Sequence, residues 1–177
     1  TITITENESA PTITLTSSTS SVAENSGTTV TLTATSSQIA DEDVTVTLAS
    51  SGTATNGTDY SSLGGQTITI SAGATTGTIT GTPTDDSTYE GDETATISIS
   101  SVSGGGAAES GSQSVSIIIT ENESAPTITL TSSTSSVAEN SGATVTLTAT
   151  ASPIADEDIT VTISTSGTAT DGTDYSS

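Results

Sequence analysis

No lysine, arginine or histidine occurs in the 177 residues, so no side chain can carry positive charge at neutral pH. Against that absence stand 21 aspartates and glutamates, for a net charge of −21. A polyanion of this kind repels phosphate backbones and anionic lipid surfaces, which argues against nucleic acid or a membrane surface as partner. Every counter-charge must come from solution, and a cation is the natural partner.

Cysteine is absent too, which excludes a disulfide framework and a thiolate metal site. Without His or Cys, zinc is disfavoured. Phenylalanine and tryptophan are missing and aromatics total 2%. Paired carboxylates could in principle serve a glycosidase, but little remains to stack on a sugar, and no enzymatic role is expected. No apolar run approaches the roughly 18 residues of a membrane span, and no signal peptide is visible.

The hydrophobic fraction is 29%, low enough beside this charge to suggest disorder. Patterning overrides that inference. The segment TENESAPTITLTSSTSSVAENSG begins at Thr5 and returns at Thr120, an offset of 115 residues, and the two copies align without a gap to Ser177. Eight of the 58 aligned positions differ, among them Val44/Ile159, Leu48/Ile163 and Asn56/Asp171. The period is too long for a solenoid turn and suits an autonomous domain of about a hundred residues.

Within a copy, alternation of apolar and hydroxyl residues recurs, as in Thr12-Ile13-Thr14-Leu15-Thr16 and Val44-Thr45-Val46-Thr47-Leu48. Period two with β-branched residues reads as half-buried strand. Ser/Gly/Asn/Asp clusters such as Glu24-Asn25-Ser26-Gly27 and Asn56-Gly57 supply the turns. Seven strands are predicted: A near 11–22, B 28–35, C 43–50, D 66–70, E 75–82, F 93–101 and G 113–120. The expected class is all-β, a seven-stranded immunoglobulin-like antiparallel sandwich in tandem repeats. The expected division is residues 1–8 as the last strand and linker of a preceding repeat, 9–123 as a complete sandwich, and 124–177 as strands A to C of the next. The polypeptide is expected to continue in both directions.

With A running up, short antiparallel connections bring four loops to one pole: the A–B turn, the C–D loop, the E–F loop and the exit of G. Nine of the thirteen carboxylates of residues 9–123 fall there: Glu24, Asp59, Asp85, Asp86, Glu90, Asp92, Glu93, Glu121 and Glu123. Two carboxylates about 4 Å apart repel by about 4 kcal/mol at a surface-like dielectric of about 20, so gathering nine requires a cation. Several hard oxygens on flexible loops suit Ca²⁺, with its six to eight ligands, better than Mg²⁺. The chain leaves strand G directly into the next copy, whose B–C loop carries Asp156, Glu157 and Asp158. A cation at this pole is therefore expected to stiffen the linker. Asp41-Glu42-Asp43, at the other end, reads as a solvated face. Asn7, Asn56 and Asn122 fit the N-glycosylation pattern, although turn chemistry explains Asn56-Gly57 better.

Val22-Ala23-Glu24-Asn25-Ser26-Gly27, Gly52 to Tyr60 (GTATNGTDY) and Asp85 to Glu93 (DDSTYEGDE) together resemble the Calx-beta domain, in order and over the whole repeat. The resemblance implies a seven-stranded sandwich that binds several Ca²⁺ ions at one end, in a family that includes sodium–calcium exchangers, integrin subunits and giant bacterial adhesins. Carried over by motif, the ligands are Glu24, Asp59, Asp85, Asp86, Glu90 and Glu93, with Glu121 and Glu123 where the family ends in a run of aspartates that Asn122 interrupts here. The second copy holds only Glu139 and Asp174 of this set. Tyr60, Tyr89 and Tyr175 lie beside these positions and are expected to cap the core.

The function expected from these features is a Ca²⁺-stiffened structural spacer of a long secreted protein, extracellular and surface-attached, as in an adhesin or filament. Its partners would be neighbouring repeats of the chain and other copies in a fibre. The alternative is a ligand-, ice- or surface-binding repeat that uses its Thr-rich sheet faces.

Overall fold

A computed structural model describes residues 2–3 and 7–176. Among the described residues eleven strands form, in chain order: β1 Thr12–Ser17, β2 Ser21–Ala23, β3 Val30–Ser36, β4 Val44–Gly52, β5 Thr67–Ile70, β6 Thr76–Gly81, β7 Glu93–Ser103, β8 Ala108–Glu109, β9 Ser114–Thr120, β10 Thr127–Ser132 and β11 Leu147–Ser152. The expected strand over residues 1–5 is not seen at Ile2 and Thr3, which belong to no strand, and its other members lie outside the described residues. Two compact units result: residues up to Asp86 with Gly91–Asn122, and Ser87–Glu90 with the chain from Glu123.

The first unit is a sandwich of two sheets, ordered β6-β3-β1-β8 and β2-β9-β7-β4-β5. Alternation explains it directly, because each strand turns its apolar residues to one face. Ile13, Leu32, Val46, Ile68 and Ile97 are fully buried between the sheets, while the intervening threonines stay on the outer faces. Burying each such aliphatic side chain contributes about 1.5–3 kcal/mol, and with no Phe or Trp available the core depends on the number of β-branched and leucyl contacts. Among the described residues Tyr60 is the one buried aromatic ring, 5% exposed.

Strand A is not continuous as expected. β1 pairs antiparallel with β3 and parallel with β8, whereas β2 crosses to the other sheet and pairs parallel with β9. The apolar alternation lapses over Ser17-Ser18-Thr19-Ser20, and local hydroxyl bonds compete there with the ladder. Ser17 Oγ donates to the Thr19 carbonyl at 2.7 Å, and Thr19 Oγ1 donates to the Ser21 carbonyl at 2.8 Å. The remaining boundaries fall within two residues of those read from the sequence.

In the second unit β10 and β11 pair antiparallel from Thr127↔Ser152 to Ser132↔Leu147. The expected strand C of this copy forms no strand at Ile159, Val161 or Ile163. Its counterpart in the first copy, β4, is a central strand held by β5 and β7. Leu130 and Leu147 are 52% and 48% exposed, where Leu15 and Leu32 are 5% and 0%. Within this unit the Tyr89 N–H donates to the Ile154 carbonyl at 2.8 Å and the Asp156 N–H donates to the Tyr89 carbonyl at 3.1 Å.

Candidate metal centre

Glu24 follows β2 directly and opens a single 3-10 turn, Glu24–Ser26, that Gly27 ends at φ 59. That left-handed conformation suits glycine, which explains the Asn-Ser-Gly punctuation after the glutamate. The side chain turns inward, 4% exposed, and its Oε1 accepts the Asp86 N–H at 3.2 Å. A residue 62 positions away in sequence thus holds it.

Asp59 sits in a tight turn after β4. The N–H groups of Thr58 and Asp59 both donate to the Thr55 carbonyl at 3.1 Å, and Asp59 Oδ2 accepts the Thr55 N–H. Asn56 closes the loop behind it: its Oδ1 accepts from the Leu63 and Gly64 N–H groups at 2.8 and 3.0 Å, and its Nδ2 donates to Ser62 Oγ at 3.1 Å. Turn architecture therefore occupies this side chain. The Thr84 N–H donates to the Asp59 carbonyl at 2.9 Å, which ties the turn to the segment leading into Asp85 and Asp86.

Glu93 begins β7 opposite Ile119. Glu121 follows β9, its Oε2 accepting the Gly91 N–H at 2.8 Å while its own N–H donates to Asp92 Oδ1 at 3.0 Å. Asp92 thus fixes the β9 exit, a role its sequence position beside Glu93 does not reveal.

Within the first unit one carboxylate oxygen of Glu24 lies within 4.8 Å of one of Glu121, and the same holds for Asp59 and Glu93. Oxygens that share a Ca²⁺ at 2.3–2.6 Å can be at most about 5.2 Å apart, so each pair fits a common ion. Every donor is a hard oxygen. Burial raises the Glu24 pKa above 4.5; the Asp86 hydrogen bond pulls it down, and the charges of Glu121, Asp86 and Asp85 push it up again. Asp85 and Asp86 are exposed and enter neither pair, although both act on Glu24 through charge. Glu139 and Asp174 are exposed, and among the described residues no group of three acidic side chains gathers around either. Asp43, at the other pole, accepts the Ala72 N–H at 2.8 Å and so holds a turn in addition to facing solvent.

The profile of the Calx-beta domain matches residues 6–123 and again 121–177. The chain belongs to the Calx-beta family. Among solved structures, an apo-form Calx CBD1 domain is 20% identical, with a TM-score of 0.50 over 63% of this chain and 98% of that one. CBD12 of CALX1.2 is 20% identical, with a TM-score of 0.49 over 60% of this chain and 43% of that one. The calcium binding domain CBD12 of CALX1.1 is 22% identical, with a TM-score of 0.48 over 69% of this chain and 50% of that one. The Calx-beta chain described here therefore spans half or less of the two CBD12 proteins, and the likeness to CBD1 concerns fold alone. No curated protein sequence matches it. In this Calx-beta sandwich the loops bearing the family-like motifs are those that carry Glu24, Asp59, Glu93 and Glu121.

Proposed function

We propose that this Calx-beta chain binds Ca²⁺ through Glu24, Asp59, Asp85, Asp86, Glu90, Glu93, Glu121 and Glu123, and that the bound ions make it a stiff, non-catalytic spacer in a long extracellular, surface-attached protein. The division into residues 1–8, 9–123 and 124–177 is part of this proposal. One observation carries it: a 4%-exposed glutamate shares its surroundings with further carboxylates in a chain that has no cationic side chain at all. Burying uncompensated charge is costly, and only an ion from solution can offset it here. The calcium binding named for CBD12 of CALX1.1 supports the choice of metal. Identical spacing and conservative differences between the two copies support a role in reach over a role in varied recognition.

The test is a thermal melt of the whole chain in Ca²⁺ and in chelator, repeated with Glu24→Gln/Asp59→Asn. A ligand bound only by the folded state at a hundred times its dissociation constant adds about 2.7 kcal/mol. The expected result is a rise of several degrees or more in the midpoint for the parent chain, largely lost in the variant. Coincident melts of the parent in the two buffers would refute Ca²⁺ binding.

The alternative of a surface-binding Thr face has one structural observation behind it. Register aligns Thr76, Thr35 and Thr14 in one row across β6, β3 and β1, and Thr78, Thr33 and Thr16 in the next. Two of these hydroxyls are engaged within the sheet, Thr14 Oγ1 and Thr16 Oγ1 each donating to a carbonyl of β3 at 3.4 Å. An assay of ice recrystallisation with the folded chain decides this reading, which inhibition would support.

A further inference from the structure

The second and last strands of the sandwich lie side by side and point the same way. β2 and β9 pair in parallel through Ser21↔Ile118, Val22↔Ile119 and Ala23↔Thr120, with the Ile118 N–H donating to the Ser20 carbonyl at 3.0 Å. A second parallel contact joins β1 to β8, where the Ala108 N–H donates to the Pro11 carbonyl at 3.0 Å and the Ser110 N–H to the Ile13 carbonyl at 2.9 Å. The chain enters at the start of β1 and leaves at the end of β9, so tension on the two ends drives these strands past each other along their own axes. Ladder bonds lie across the strands, so this load falls on all of them together, whereas a pull that separates the strands from one end breaks them in turn.

We propose that the β2–β9 pairing is a tension clamp: the element that sets the force at which the sandwich opens when pulled along the chain. The proposal rests on the spacer reading, since only a load-bearing link needs such a device. The clamp joins the ends of the domain across 98 residues of sequence and does not depend on the thermodynamic weight of the core. Forced opening follows the unfolding rate and so depends on what must break first. Ala23 and Thr120, the last pair of the ladder, are followed immediately by Glu24 and Glu121, so an ion shared by these carboxylates would close the ladder at that end.

The chain has no cysteine, so force can be applied at chosen points by introducing pairs of them. In the full chain, Ser9→Cys with Ser124→Cys loads the clamp along the strands, whereas Ser26→Cys with Ser124→Cys pulls at the same end of β2 and β9 and peels them apart. Single-molecule pulling in chelator should give an opening force several times higher for the first pair than for the second. Equal forces would overturn the clamp, and because no ion is present that outcome leaves the calcium reading untouched. Adding Ca²⁺ should raise the peeling force in particular, since peeling begins where Glu24 and Glu121 meet. Ile118→Pro removes the donor to Ser20 from a side chain already 44% exposed and should abolish the high-force peak. Ile68→Val, a core change away from the clamp, should lower the melting midpoint while the peak persists. If Ile68→Val lowered the force as much as Ile118→Pro, opening would track overall stability and the proposal would fail.

Discussion

Folding strips Glu24 of most of its hydration and sets it beside Glu121, Asp86 and Asp85, so its carboxyl holds a proton above the ordinary 4.5 in metal-free protein. As pH rises, the unfolded chain loses this proton first. The stabilising contribution is therefore complete below about 4.5 and is lost as pH climbs through the higher folded value. Metal-free chain should melt at higher temperature as the buffer is taken from neutral toward pH 4.5, and Glu24→Gln should flatten that trend. An unchanged slope in the variant would show that other carboxylates govern the response. Glu24 and Asp59 are legible in sequence because each stands at a fixed offset from a turn glycine, Gly27 and Gly57. The burial of Glu24 is not legible, because it depends on the Asp86 backbone reaching it from another loop, and the work of Asp92 on the Glu121 N–H is hidden for the same reason.

Strand positions are legible from period two alone, since one-sided burial leaves few other solutions for Val44-Thr45-Val46-Thr47-Leu48. Where alternation lapses, pattern stops informing: Ser17 to Ser20 shows a polar run but not that the chain changes sheets there. The same alternation makes a central strand at β4, paired with β5 and β7, and no strand at Ile159 to Ile163. Gly52, which ends β4, shows how an element constrains a residue. Its φ is +114, and an added Cβ would meet the Thr94 carbonyl oxygen at 2.0 Å, whereas Gly167 in the second copy, at φ +134, has nothing within 4 Å. Gly52→Ala should cost about 2 kcal/mol or more through backbone strain plus collision, and Gly167→Ala about 1 kcal/mol through strain alone. Denaturant titration of the two variants checks the ordering; equal losses would mean that the β4–β7 contact relaxes freely.

At the scale of the whole molecule, −21 charges with no internal counter-charge make self-repulsion a general term as well as a local one. Sodium chloride should raise the metal-free melting midpoint gradually, as the screening length shrinks from about 10 Å at 0.1 M to about 3 Å at 1 M. Calcium should act at far lower concentration and then saturate, because a built site fills while screening does not. A calcium response as shallow as that of sodium would mean general screening only. The repeat itself is plain in the sequence, and the two copies share their turns: the Asn56-to-Tyr60 loop recurs with Asp171 in place of Asn56, and both close on a Tyr carbonyl. This exchange bears on ageing. In an Asn-Gly peptide the glycine nitrogen displaces ammonia to close a succinimide, and water opens that ring to isoaspartyl or aspartyl; at position 56 the aspartyl product is the residue the neighbouring copy already carries. The oxygen that accepts from Leu63 and Gly64 would remain, and only the donor to Ser62 would go. Ring opening to the aspartyl product would thus convert one copy toward the other and leave the loop closed, whereas the isoaspartyl product would lengthen the backbone within the turn.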